Sequence, residues 1–261
     1  MSVSILILAH ATDWGAESVA SCLAQRLGPH AVRLVRPELL SLASWSHRVD
    51  AHGRASTRLV VPKMDPIDDD DVGAGLNRIR YLPVPRFHRS SAKDRDYAGI
   101  ELQALVASWL AQFGSRVVHA VRRHAIVTPT LPLQQWAAAA AACGLPVARR
   151  TFSTSPRALR LGSASARREP DDREVPASDH HSGATVLVAG DRTGGELSTT
   201  FGQRCARAAR LLGLPLLEFH FASRASGAVL TGVEPLPSLN EPWAVTLTAD
   251  LLESIVTNSR S

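Results

Sequence analysis

With 261 residues, 45% of them hydrophobic and 20% charged, the chain has enough apolar matter for one large or two modest globular domains, which excludes complete disorder. The net charge of +5 rests on arginine, since Lys63 and Lys93 are the only lysines, and this balance fits either an anionic partner or genome composition. Scattered arginines and an aromatic content of 5% lack the interleaved pattern of a single-strand nucleic-acid groove, so nucleic acid is a poor fit.

The apolar run SILILA (4–9) reads as a buried strand. A polar turn follows, then ESVASCLAQRLG, in which Val19, Leu23 and Leu27 recur at helical spacing until Gly28 stops the helix. Residues 31–35 supply the next strand, so the chain opens strand, helix, strand, the start of a doubly wound α/β layer. In the first turn, Asp13 and Trp14 read in two ways: facing a ligand at the carboxyl edge of a Rossmann-like sheet, or as a helix cap with Trp14 packed on the sheet. SILILAHA lacks a basic leading region and meets Thr12 and Asp13 too soon for a signal peptide. No run approaches the roughly 20 apolar residues of a membrane span, so a cytoplasmic protein is expected.

TRLVVP (57–62) is a further strand, and the run Asp68, Asp69, Asp70, Asp71 is expected at a helix N-terminus, because a calcium loop alternates its ligands rather than stacking them. From Asp96, YAGIELQALVASWLAQFG places Ile100, Leu102, Leu105, Val106, Trp109 and Leu110 on one broad helical face closed by Gly114. RVVHAV is then a strand, residues 133–143 a helix capped by Gly144, and LPVARRTFST a strand opening a new layer. Residues 162–183 are poor in large apolar side chains and read as a flexible linker or loop, in which His180 and His181 lack a third metal ligand at usable spacing. Order resumes with the strand TVLVAGD, a helix turning Cys205, Ala208, Ala209 and Leu212 inward, a hairpin of LPLLEFHFA and GAVLTGVEP across SRASG, and a helix over 249–256.

Cys22, Cys143 and Cys205 are far apart and odd in number, which suits buried small hydrophobes in a reducing compartment. Phosphate-loop, dinucleotide and HExxH strings are missing, VGAG (72–75) and TGG (193–195) read as turns, and no GxSxG elbow anchors a serine triad. What remains is Glu218 and Glu234 on successive hairpin strands. Antiparallel neighbours on one face approach to roughly 5 Å, where two carboxylates either share Mg²⁺ with phosphate oxygens or serve as ordinary polar positions at strand edges.

Several segments in order carry a family likeness: LNRIRYLP (76–83), KDRDYAGIELQALVASWL (93–110), RVVHAV (116–121), PLQQWAAAAAACGLPVARRTFSTSP (132–156), VLVAGD (186–191), and ARLLGLPLLEFHFA with GAVLTGVEPLPSL. Taken together they resemble the ATP-grasp superfamily, in particular bacterial proteins with a pre-ATP-grasp domain ahead of the nucleotide-binding part. The resemblance implies a Rossmann-like N-terminal α/β layer over 1–125 and a truncated α+β ATP-grasp-like domain over 126–261. Asn77, Arg78, Asp94, Arg95, Tyr97 and Glu101 are the matching positions of the first part, while His119 and Ala120 stand where relatives carry Asn-Arg or Asn-Pro. By the same resemblance Glu218 and Glu234 match the acids of a magnesium-binding hairpin, with Leu236 in place of the third ligand, Asn, unless Asn240 reaches back.

The family's lysine-bearing lid has no counterpart between 156 and 185, which holds no lysine, so the lid is expected to be deleted, leaving Arg157 and Arg160 as phosphate-contact candidates. Removing one preorganised cation of this kind costs about 3 kcal/mol of transition-state stabilisation. Three functions follow from the resemblance. One is a pseudoenzyme, related to ATP-dependent carboxylate–amine ligases, that binds or scaffolds a protein or peptide partner. Another is an active minimal ligase using ATP and Mg²⁺ to modify a peptide or amino acid. The last is an interaction protein whose basic first domain meets an acidic partner.

Overall fold

The computed structural model describes residues 4–53, 55–119, 131–148, 183–224 and 227–259. Strand β1 (Ser4–Leu8) is buried throughout and is followed by α1 (Trp14–Leu27), which ends where Gly28 takes a φ of 93° and its N–H reaches Ala24 O. Chain reversal brings β2 (Val32–Val35) parallel to β1. After the short helix α2 (Pro37–Leu42), strands β3 (Ser44–Val49), β4 (Ala55–Val60) and β5 (Ile67–Asp68) form a separate antiparallel sheet in that order. The chain then returns to the other side of β1 with β6 (Val72–Asn77), passes through α3 (Ala92–Ala111) and adds β7 (Val117–Val118), giving a parallel sheet of order β2-β1-β6-β7.

Helix α4 (Leu133–Ala142) leads to the second half, where β8 (Ala184–Ala189), β9 (Arg192–Gly194), α5 (Ser198–Leu212), β10 (Leu216–Arg224) and β11 (Gly227–Glu234) build an antiparallel sheet of order β11-β10-β8-β9. Helix α6 (Pro242–Asn258) closes the described chain, seven residues longer at its start than the sequence suggested. Its Ala244, Ala249 and Leu252 share a core with Ile5, Ile7, Val19 and Leu23 of the first half and with Leu187 and Leu216 of the second. Each fully buried Leu or Val there contributes about 2 kcal/mol. One apolar core thus runs under both sheets.

On its other face the parallel sheet meets α3, whose Val106, Trp109 and Leu110 pack with Leu6, Leu8, Leu59 and Ile67. The outer face of the antiparallel sheet is covered by α4 and α5, with Cys205, Ala208, Ala209 and Leu212 inward as their spacing requires.

Several expectations are corrected. VGAG is the first four residues of β6, not a turn: Gly75 is needed because a Cβ there would stand 2.8 Å from Val117 Cγ2 on the neighbouring strand. TGG is β9 and its exit rather than an isolated turn, since a Cβ on Gly194 would meet the Trp243 ring at 2.7 Å. The aspartate run caps no α-helix. Asp68 ends β5 and Asp69–Asp71 is a single 3-10 turn, in which Asp69 accepts from Trp109 Nε1 at 3.1 Å and from the Thr57 amide. Ile100 is 63% exposed, so the buried face of α3 begins beyond it. The strand expected from LPVARRTFST is an isolated parallel bridge of Val147 to Leu230 within the described residues, and the linker at 162–182 lies outside them.

Candidate functional site

The hairpin places the two carboxylates as their spacing predicts. Leu217, Phe219 and Phe221 enter the core beneath α4 and α5, so alternation turns Leu216, Glu218 and His220 to the opposite face. Glu218 is register partner to Glu234 on β11 and to Leu187 on β8. Glu218 is 7% exposed, and burial pushes its carboxyl above the ordinary range against the opposing hydrogen bond from Ser238 N at 2.9 Å; the His220 ring, 3.9 Å away, pulls it down and Glu234 pushes it up. Glu234 is exposed and accepts from Leu236 N at 2.8 Å. Each carboxylate therefore holds one backbone amide of the 235–240 loop.

That loop is gripped from its other side. Arg78, 4% exposed at the end of β6, donates from Nη1 to Pro237 O at 3.1 Å and from Nε to Asp13 Oδ2 at 2.7 Å. Asp13 uses its remaining oxygen to cap α1, accepting from Ala16 N at 3.0 Å. Leu239 fills the space above Gly15, where a Cβ would stand 2.6 Å from Leu239 Cβ. Of the two readings of the first turn, the cap at Asp13 is observed, but Trp14 is 72% exposed instead of packed on the sheet. The first turn of α1, the end of β6 and the loop after β11 form one junction.

Around the junction, the carboxyl edge of the parallel sheet is polar and buried. The chain turns one way from β1 to β2 and the other way from β1 to β6, which makes the gap between β1 and β6 the switch point of this sheet. His10 follows β1, accepts from Arg80 N at 3.1 Å and stacks on Tyr81 with ring centres 4.3 Å apart. Asn77 donates to His119 O at 3.2 Å and accepts from Ile79 N at 3.1 Å. His119 has a φ of 61°, and among the described residues both its buried ring nitrogens lack a hydrogen-bond partner; burial first, and the Arg78 charge second, lower its pKa to about 3. The ring is therefore neutral at physiological pH.

The other predicted positions lie apart from this junction. Asp94 takes a hydrogen bond from Ser91 Oγ at the start of α3, Arg95 donates to Ser90 O, and Glu101 and Tyr97 are exposed on the helix. Asn240 is exposed and bonded to neither carboxylate. Arg157 and Arg160 lie outside the described residues. Ser238, Pro237, His220 and Glu196 were missed; His220 was legible two residues from Glu218, but the backbone groups of the loop carry no side-chain signal. Glu196 accepts from Thr185 N at 2.8 Å, and that bond lowers its pKa.

Mg²⁺ takes hard oxygen ligands in deprotonated form. Here each candidate carboxylate spends one oxygen on a loop amide, Glu218 is pushed toward its neutral form, and Leu236 offers no donor. Among the described residues no group of three His, Cys, Asp or Glu could hold a metal ion. These residues do not by themselves fit a magnesium centre.

Comparison with solved structures decides the architecture. The chain superposes over 97% of its length on 99% of the macrocyclase MdnB from Microcystis aeruginosa MRC, with a TM-score of 0.64 and 14% identity. This chain has the ATP-grasp ligase fold. A Chryseobacterium gregarium RiPP-associated ATP-grasp ligase, in complex with ADP and a leader and core peptide, matches at a TM-score of 0.73 and 11% identity over 97% of each chain. The ATP-grasp ligase PsnB, complexed with minimal precursor, Mg and ADP, matches at 0.66 and 17% identity over 97% of this chain and 98% of that one. No family model and no curated protein matches the sequence. At identities this low the likeness establishes the fold, an α/β arrangement with one parallel and two antiparallel sheets among the described residues, and not the activity. Among the described residues no helix is long and apolar enough to cross a membrane.

Proposed function

We propose that this chain binds a peptide on the ATP-grasp ligase scaffold without carrying out ligation. The observation that carries this reading is the state of the hairpin: Glu218 and Glu234 stand opposite one another, yet each is tied to the 235–240 loop. The carboxylates then act as anchors of a loop rather than as ligands of a nucleotide metal. Solved neighbours of the same fold are complexed with precursor peptides, which supports a peptide as the partner class. In calorimetry, Mg²⁺-dependent ATP binding is expected to be absent. Micromolar affinity that disappears in Glu234→Ala would overturn the reading.

The direct register of the two carboxylates favours a second reading, a minimal ATP-dependent carboxylate–amine ligase acting on a peptide. Two opposed carboxylates with one oxygen free on each retain some capacity for a cation shared with phosphate oxygens. Release of ADP on mixing with ATP, Mg²⁺ and pooled peptide substrates supports it. No release, under conditions where PsnB turns over, removes it.

A further inference from the structure

The sequence carries no GxSxG elbow, yet the fold pairs a serine with a histidine 61 positions away. The hydroxyls of Ser18, Thr248 and Thr257 on α1 and α6 fold back on the carbonyl four residues earlier. Ser108, inside α3, instead reaches His47 on β3, with Oγ 2.9 Å from Nε2. On the other side of the ring, His47 Nδ1 stands 2.8 Å from Thr57 Oγ1 on β4. A nucleophile, a base and an orienting group thus lie in one line of hydrogen bonds, outside the Glu218 and Glu234 hairpin.

The protons in this line are assigned by what stands behind Thr57. Asp69 accepts from the Thr57 amide and from Trp109 Nε1 at 3.1 Å. Burial raises its carboxyl above the ordinary value, and bonds from the Thr57 amide and from the Trp109, Gln112 and Thr57 side chains draw it back down. The Thr57 hydroxyl therefore gives its proton to Asp69 and, with Gln112 Nε2 donating to it at 3.1 Å, is an acceptor toward His47. Nδ1 then carries the ring proton, which leaves the Nε2 lone pair facing Ser108. Thr57 is buried, whereas His47 and Ser108 are half-buried. Ala104 and Ala111, exposed neighbours of Ser108 along its helix face, have no side chain long enough to cover the hydroxyl.

We propose that Ser108 is an acylation site, a nucleophile served by His47 as general base, for small activated carboxylic esters. Ser108 Oγ bonds to the acyl carbon as its proton passes to His47 Nε2. The carbon–oxygen bond to the leaving group then breaks, and the proton on His47 goes to the departing oxygen. Thr57 and Asp69 are positioning residues that hold the ring in the tautomer this transfer needs. Amides beside Ser108 are engaged within α3 and give the tetrahedral adduct no preorganised donor, so acylation relies on the base alone and the acyl-serine outlasts it. The site uses no residue of the hairpin and does not rest on the peptide-binding reading.

The test mixes the full chain with p-nitrophenyl acetate and follows phenolate release and the masses of tryptic peptides. Expected are a burst of about one phenolate per chain and an acetyl group on Ser108. Ser108→Ala removes the burst, and His47→Gln slows it by about 100-fold. Thr57→Val slows it by about tenfold and Thr57→Ser restores it, whereas a packing role for Thr57 would give the opposite order. Urea midpoints check that each variant folds, and should one not fold, the acetylated position in wild type decides by itself. No burst, an acetyl group only on Lys63, Lys93 or another side chain, or equal burst rates in His47→Gln and wild type would each refute the site and leave the pair a structural tie between α3 and the small sheet.

Discussion

Arg78 donates from Nε to Asp13 Oδ2 at 2.7 Å in a pair where the guanidinium is 4% exposed, and its Nη1 carries the connection on to Pro237 O. A single buried cation therefore joins the first helix turn, the end of the central strand and the hairpin loop. Replacing Arg78 with Met leaves the partly buried Asp13 without its counter-charge, at a cost of about 3 kcal/mol. Asp13→Asn keeps the cap on Ala16 N but leaves the more deeply buried Arg78 guanidinium without its counter-charge, so a loss of similar size is expected. Urea unfolding of both single variants and the double variant measures this. A double variant that loses the full sum of the two single losses would contradict it.

Glu218 provides a pH test. Burial raises its folded pKa above the unfolded value, so the native state holds the proton more tightly. Stability therefore falls as pH rises from the unfolded carboxylate value through the folded one, and stays lower above it. Glu218→Gln keeps an acceptor for Ser238 N and never ionises. Its melting temperature should exceed that of wild type at pH 7, and the gap should close by about pH 3. A gap that persists unchanged at low pH would trace the effect to packing.

Gly15 and Gly99 both lie in helices, yet only one is sterically required. A Cβ on Gly15 meets Leu239 Cβ at 2.6 Å, whereas one on Gly99 meets nothing within 4 Å. Gly15→Ala is expected to destabilise by about 1–3 kcal/mol through overpacking, and Gly99→Ala to stabilise by about 0.5–1 kcal/mol through the unfolded chain. Adding Leu239→Ala to Gly15→Ala should recover part of the loss, since the two changes share one contact. Denaturant midpoints with unchanged m-values decide the matter.

Asp69 ties the small antiparallel sheet to α3 by accepting from the buried Trp109 indole at 3.1 Å and from the Thr57 amide. Asp69→Ala leaves both donors unpaired, with an expected cost of about 1–3 kcal/mol. Tryptophan fluorescence should shift with it if the Trp109 environment opens to water. An unchanged spectrum and midpoint would mean that water replaces the carboxylate at no cost.

Buried thiols supply a check on packing. Cys205 is fully buried, and burial, with Cys143 nearby, pushes its pKa up to about 12. It should resist thiol reagents in the native state and label only on unfolding. Labelling of Cys205 at native rates comparable to partly exposed Cys22 would contradict the core between α4 and α5.

Local pattern alone determined much of this protein. The runs of β1 and β10, the inward face of α5 and the opposition of Glu218 to Glu234 were legible because alternation, helical spacing and a short hairpin turn act over neighbouring residues. Tertiary structure decided the rest. VGAG became a central strand because Val117 leaves no room for a Cβ at Gly75, and the aspartate run became a link to Trp109 because α3 folds back across it. Arg78 was visible as a residue, but its partners, Asp13 and Pro237 O, lie 65 and 159 residues away, and one of them is a backbone carbonyl. Spacing along the chain encodes faces of elements; it holds no record of which distant backbone groups will be left to receive a buried charge.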